Sequence, residues 1–276
     1  MHNLRFALLA WAVTLLGLGL GTPAALAGPE PGGGPSTMII GGRDATEPYP
    51  FMASLQSDEV GHFCGGSLID PEWVVTAFHC VDFGTEPEDV RLRIGSPHKS
   101  EGGSLRGAER IVLHPEGDPS YFDIALIQLD EPVSYAPVAL DVRPPTGTRV
   151  RMLGWGCTAP KRDVDRCPSD MPETLQQLDS TVHQVAECVN VRAPIEKNTE
   201  LCAGNPAGDT DVGGPCFGDS GGPLLRRTAT GWRLLGAFSR VEIPRDSHIA
   251  DCSTGLGIYT DVTVHREWLE SVMSGS

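Results

Sequence analysis

The residues best suited to covalent chemistry lie in three short segments. In Gly218-Asp219-Ser220-Gly221-Gly222-Pro223 a hydroxyl is flanked by residues without bulk. A substrate carbonyl can approach Ser220 closely while backbone amides point at its oxygen, and glycine permits both the tight turn and the approach. In Thr76-Ala77-Phe78-His79-Cys80 an imidazole follows an apolar run, where it can serve as a general base. In Phe122-Asp123-Ile124-Ala125-Leu126-Ile127-Gln128-Leu129 one carboxylate opens an otherwise apolar strand, and a charge there is costly unless paired. Hydroxyl, imidazole and carboxylate are together the parts needed for nucleophilic acyl transfer. Taken singly each has a plainer reading: a turn serine, a satisfied core histidine, a strand-capping aspartate.

The elements that would position these groups are mostly strands. Short apolar runs rich in branched residues recur between turn residues at Trp73 to Ala77, Val90 to Ile94, Ile124 to Leu129, Val150 to Leu153 and Leu234 to Phe238, which are strand-like lengths. Leu224 to Phe238, with Thr230-Gly231 inside it, reads as a hairpin. The one convincing helical period comes at the end, where Val262, Val264, His265, Trp268, Leu269 and Val272 recur near 3.6 residues. The body of about 240 residues is long enough for one large or two small cores, and two are favoured.

Ahead of that body, Met1 to Ala27 has a basic start at Arg5, an apolar run from Ala7 to Leu20, and Ala25-Leu26-Ala27 at its end. This order reads as a cleaved export signal, and the run is too short for an anchored span. A Gly and Pro-rich link follows from Gly28 to Thr37. The chain of 276 residues carries 36 acidic side chains against 21 basic ones, a formal charge of −15. That sign repels phosphate backbones and anionic lipid, so neither nucleic acid nor a membrane surface is an expected partner. Eight cysteines are even in number and can all pair in an oxidising compartment, but composition alone leaves the connectivity open. His183, His248 and His265 are isolated in the chain, no metal cluster stands out, and no cofactor is expected.

Together the three segments resemble those of the trypsin and chymotrypsin family of serine proteases. Cys64-Gly65-Gly66-Ser67-Leu68-Ile69, Gly154-Trp155-Gly156, Leu201-Cys202-Ala203-Gly204 and Gly257-Ile258-Tyr259-Thr260 appear in the family's order, so the likeness runs from Ile39 to about Met273. It implies an all-β fold of two six-stranded antiparallel β-barrels with a C-terminal α-helix. The implied division is a signal peptide at 1–27, an activation propeptide at 28–38 and a protease domain at 39–276. Within the domain one barrel would span about 39–145, the second about 146–260 and the helix about 262–273. The resemblance makes Ser220 the nucleophile, His79 the general base and acid, and Asp123 the group that orients the imidazole. The amides of Gly218 and Ser220 would form the oxyanion hole, and Ser239 would buttress Asp123 and begin the strand that pairs with substrate.

The same likeness pairs Cys64 with Cys80, Cys188 with Cys202 and Cys216 with Cys252, leaving Cys157 and Cys167 to join each other. Ile39-Ile40-Gly41-Gly42 resembles the amino terminus that relatives expose by cleavage, with Asp219 as the partner of the new ammonium. The residue before the cut is Met38, not Arg or Lys, so a trypsin-like activator is not expected.

At the pocket floor, where trypsins carry an aspartate, this chain has Gly214; Asp211 lies nearby but three residues off. The walls correspond to Val241 and Gly257, and a valine in the first position narrows the pocket in elastase-like relatives, implying small or aliphatic residues before the cut. A deep slot for aromatics stays open as the alternative, because Arg240 to Asp251 departs from relatives and Arg240 replaces a usual Trp. Expected partners are polypeptide substrates and protein protease inhibitors, for a secreted, extracellular monomer. Two rival functions remain in view. The G-x-S-x-G pattern also fits lipases and esterases, with Asp246, Asp251 and His265 available as partners, but it needs a helix directly after the serine. A catalytically dead binding relative is the other, and the full set of His79, Asp123 and Ser220 speaks against it.

Overall fold

The computed structural model describes residues 39–82, 84–158, 167, 171–209, 212–246 and 249–275. The segment read as an export signal, the link, Met38, Asp211 and His248 lie outside the described residues. In chain order the strands are β1 (Arg43–Asp44), β2 (Met52–Ser57), β3 (Gly61–Asp70), β4 (Trp73–Thr76), β5 (Arg91–Ile94), β6 (Ser104–Leu113) and β7 (Ala125–Leu129). They continue as β8 (Ala139–Leu140), β9 (Arg149–Gly154), β10 (Gln176–His183), β11 (Glu200–Gly204), β12 (Pro223–Thr228), β13 (Gly231–Val241) and β14 (Leu256–Asp261).

Two closed antiparallel barrels result. The first follows β2-β3-β4-β7-β6-β5 and closes through β5 onto β2; the second runs β10-β11-β14-β13-β12-β9 and closes through β9 onto β10. Closure removes the unpaired edges that open sheets must otherwise protect. The five apolar runs legible in the sequence fall on β4, β5, β7, β9 and β13. The expected hairpin is β12 and β13, with Thr228 opposite Gly231. In β4, Trp73-Val74-Val75-Thr76 is buried on both faces between β3 and β7, as its unbroken apolar run requires. β1 lies ahead of the first barrel's strands in sequence yet pairs with β10 of the second.

The terminal helix differs slightly from its expected span. A 3-10 turn at Val262–His265 precedes α1 (Arg266–Ser274) because the Asp261 carboxylate accepts from the Thr263 amide and tightens the entry. Leu269 is its buried anchor, and Gly275 closes the helix with φ of 72°. All eight cysteines are paired: Cys64–Cys80, Cys157–Cys167, Cys188–Cys202 and Cys216–Cys252.

Candidate active site

His79, Asp123 and Ser220 come from three separate stretches and meet in one hydrogen-bonded row. His79 sits on the 3-10 turn Phe78–Cys80 that leaves β4, tied back by the Cys64–Cys80 bridge. Asp123 is fully buried two residues before β7, which pairs with β4, so strand register sets both residues at the same end of the barrel. One carboxylate oxygen of Asp123, Oδ1, accepts the His79 backbone amide at 3.0 Å. The other, Oδ2, accepts His79 Nδ1 at 2.8 Å and the Ser239 hydroxyl at 2.6 Å. The Asp123 carbonyl accepts the Thr260 hydroxyl at 2.9 Å. The far ring nitrogen, His79 Nε2, lies 2.9 Å from Ser220 Oγ. With Nδ1–H donated to the carboxylate, Nε2 is the free base that faces the hydroxyl proton.

Burial pushes the His79 imidazolium down, but the charge and hydrogen bond of Asp123, helped by Asp82, outweigh it and raise the pKa above the ordinary histidine value. Arg240 acts in the opposite direction.

The turn around Ser220 is fixed by the amide of Asp219 to Cys216 O (3.0 Å), that of Gly221 to Phe238 O (2.7 Å) and that of Gly222 to Asp219 O (2.8 Å). Among the described residues, the amides of Gly218 and Ser220 are outside this set. Gly218 has φ of 93°, and a Cβ there would come within 2.5 Å of Met171 Cε, so a side chain is excluded by conformation and by space.

Sequence reasoning missed His62, which holds that glycine in place. His62 Nε2 lies 3.1 Å from the Gly218 carbonyl and Nδ1 lies 2.8 Å from the Ser54 hydroxyl. A carbonyl only accepts, so Nε2 carries the proton. Burial lowers the ring's pKa to about 4, keeping it neutral with Nδ1 as acceptor. Nothing in Gly61-His62-Phe63-Cys64 announces this role, because the partner is 156 residues away.

Asp219 is buried and points away from the row. Its Oδ1 accepts the Gly156 amide at 2.8 Å and its Oδ2 the Cys216 amide at 2.9 Å. A Cβ on Gly154 or Gly156 would collide with this carboxylate, which is the physical reason for the glycines in Gly154-Trp155-Gly156. Burial raises the Asp219 pKa to about 7, against the two amide bonds that lower it. Ile39 and Ile40 are buried, and Ile40 O accepts the Gly214 amide at 3.0 Å.

A cavity of about 530 Å³ opens beside Ser220 and His79; its lining includes Ser239, Arg240, Phe238, Val241, Ile243 and Ala250. Gly214 and Gly257 are not among its walls. A Cβ on Gly214 would meet Gly255 O at 2.6 Å. One on Gly257 would strike Pro215 and meet Phe238 Cε2 at 3.0 Å. The Phe238 ring packs beside Gly257 and lines the cavity. The Arg240 to Asp251 segment reaches the cavity through Val241, Ile243 and Ala250 and is tied to its neighbour by Ile243 N to Val189 O at 2.9 Å.

Cys64, His79 and Cys80 bring ligand atoms within 4.8 Å of one another. Both sulfurs are in one disulfide and the imidazole is engaged, so the group offers no metal site. Of the histidines singled out in the sequence, His183 Nε2 lies 2.8 Å from Gly204 O, and His265 packs against His114 and Phe122. Ser220 is followed by strand β12, not by a helix, which removes the lipase-like reading.

Two β-barrels with a serine, histidine and aspartate bonded in this order define a serine endopeptidase. A family model described as Trypsin matches residues 39–269. The chain is 31% identical over 265 residues to mannan-binding lectin serine protease 1 of Homo sapiens, covering 85% of this chain and 35% of that protein. It is 35% identical over 250 residues to trypsin 5G1 of Aedes aegypti, covering 86% of this chain and 85% of that one. The chain belongs to the trypsin family.

Proposed function

We propose that the protein is exported as a precursor, cut before Ile39, and then hydrolyses polypeptides through an acyl-enzyme on Ser220. The observation that carries this reading is the unbroken row from Ser220 Oγ through His79 to Asp123. Ser220 attacks the scissile carbonyl as its proton passes to His79 Nε2. The tetrahedral oxyanion is held by the amides of Gly218 and Ser220, each donor contributing about 2.7 to 4 kcal/mol. His79 then gives the proton to the departing amine, and water repeats the sequence to release the acid. Asp123 keeps Nδ1 protonated and balances the transient imidazolium, while Ser239 holds the carboxylate.

The residue preferred before the cut is small or aliphatic. Phe238, Val241, Ile243 and Ala250 give the cavity an apolar wall, and no carboxylate lies among its described lining residues. Because one methylene is worth about 1 to 3 kcal/mol, the preference is graded. Ile39 takes the role of new amino terminus with Asp219 as its counter-ion, and the docked Ile40 to Gly214 bond supports this. Export to the extracellular space is supported by the order of charge, apolar run and small residues in Met1 to Ala27 and by the four disulfides. Protein inhibitors that present a substrate-like loop would occupy the same cavity, and a monomer is expected.

Replacing Ser220 by Ala in the matured protein should lower turnover by about a millionfold; unchanged hydrolysis would eliminate the assignment. A positional peptide library run on the same protein reads the preference, and a dominant Arg or Phe before the cut would reject the small-residue pocket. Amino-terminal sequencing of the active form tests the cut, with any start other than Ile39 counting against it.

A further inference from the structure

The row does not end at Ser239. Beyond it, Arg240 Nη1 donates to Ser239 Oγ at 3.2 Å and to Glu200 Oε1 at 2.5 Å, while Nη2 donates to Glu200 Oε2 at 3.1 Å. The two side chains are 13% and 2% exposed, so a forked ion pair is buried directly behind the residue that holds Asp123. Glu200 is on β11 and Arg240 on β13, on either side of β14 in the sheet. Glu200 is fixed further by the Glu196 amide at 2.7 Å.

Such a pair is a poor device for stability. Desolvating both charges offsets most of their attraction, and apolar residues of like volume commonly serve as well or better. Here a further penalty is visible, because Arg240 Nε is buried with no partner among the described residues. The pair's position is what distinguishes it. The guanidinium is two hydrogen bonds from the Asp123 carboxylate, and it lines the cavity beside His79. Ser239 has one hydroxyl proton, and a donor on its oxygen leaves that proton free only to point at Asp123.

We propose that Glu200 and Arg240 are positioning residues for the reaction: Arg240 locks the Ser239 hydroxyl onto Asp123, and Glu200 offsets the charge of Arg240 so that it weakens the base at His79 less. Arg240 without Glu200 would be an isolated cation competing for Asp123, making His79 less basic. Glu200 without Arg240 would be an isolated buried anion, making it more basic. Besides Arg240, the charged groups acting on His79 are Asp123 and Asp82. Arg143, near Glu200, is itself paired with Asp261 and donates to the Glu200 carbonyl. The inference rests on the hydrolytic reading given above.

The test compares Glu200→Gln, Arg240→Met and the double variant with the wild type, all matured. The pH dependence of kcat/KM is measured on a short peptide, and the His79 ring titration is followed by NMR, which reads the site without turnover. Glu200→Gln should move the acid limb and the ring titration down by about one pH unit, and Arg240→Met should move both up by a similar amount. The double variant should return the midpoint to the wild-type position while kcat stays severalfold low, because Ser239 has lost its donor, with KM little changed. Merely structural damage would move neither midpoint in opposite senses. Single variants that leave both midpoints in place, or shift them in the same direction, overturn the proposal. The double variant buries no unpaired charge, so it remains decisive if a single variant fails to fold: wild-type kcat there also overturns it. An inactive wild type would count against the hydrolytic reading, whereas an active wild type with unmoved titrations counts against this one alone.

Discussion

Asp219 is the most exacting place to test the electrostatic reasoning. In the continuous chain the nitrogen of Ile39 is a peptide amide, and the Asp219 carboxylate is bonded only by the Gly156 and Cys216 amides among the described residues. Burial raises its pKa from 3.8 to about 7. A folded state that holds this proton more tightly than the unfolded chain is favoured at low pH, and it loses that advantage as pH rises from the unfolded to the folded value. At 1.36 kcal/mol per unit, the uncompensated carboxylate costs about 4 kcal/mol above pH 7, of which about 3 kcal/mol appears between pH 5 and pH 8. Asp219→Asn removes the titration and adds a constant offset, since one of its amide hydrogens then faces the Cys216 amide. Urea unfolding of the precursor in a Ser220→Ala background, with and without Asp219→Asn, should show the stability difference shifting by about 3 kcal/mol in favour of Asn from pH 5 to pH 8. Cleavage before Ile39 should reverse the sign, because the new ammonium then pairs with the carboxylate and its own raised pKa sustains the pair until pH climbs through that value. A difference between the two precursors that is the same at both pH values would refute the reasoning.

Other outcomes follow from the same geometry. Phe238→Val should open the cavity floor and raise kcat/KM for peptides with an aromatic residue before the cut by at least about tenfold relative to alanine peptides; an unchanged ratio would mean that the ring does not limit the pocket. His62→Phe keeps the ring's packing against Trp155 but removes its bonds to Ser54 and Gly218. A loss of about 1 to 3 kcal/mol is expected in kcat with KM nearly constant, and an equal rise in KM would argue for substrate contact instead. Because Asp123 raises the His79 pKa and the reaction needs the neutral ring, kcat/KM should fall with acidity through a midpoint above the ordinary 6.5; a midpoint below that value contradicts the assignment.

Much of this was readable from local pattern. Trp73-Val74-Val75 and Ile124-Ala125-Leu126-Ile127 announce strands because both faces of each are buried, so every position is apolar. β6 and β10 were not legible. The residues of β6 are half-buried or exposed throughout, so no alternation is written into Ser104–Leu113. β10 opens with Gln176 and Gln177, buried polar residues with partners remote in sequence: Gln176 Nε2 donates to Asp44 Oδ1 at 2.8 Å and Tyr49 donates to Gln177 Oε1 at 2.9 Å.

The sequence by itself singled out Ser220, His79 and Asp123, the glycines that make room around Ser220, and the strand-like lengths of the apolar runs. These are local requirements of volume, backbone angle and periodicity, and they leave a trace in neighbouring residue types. Only the tertiary structure decided that Phe238 lines the pocket, that His62 anchors Gly218, and that Glu200 and Arg240 extend the row behind Ser239. Each of those depends on which side chain a closed barrel brings opposite another across tens of residues, and a distance in space set by strand register has no counterpart in the spacing along the chain.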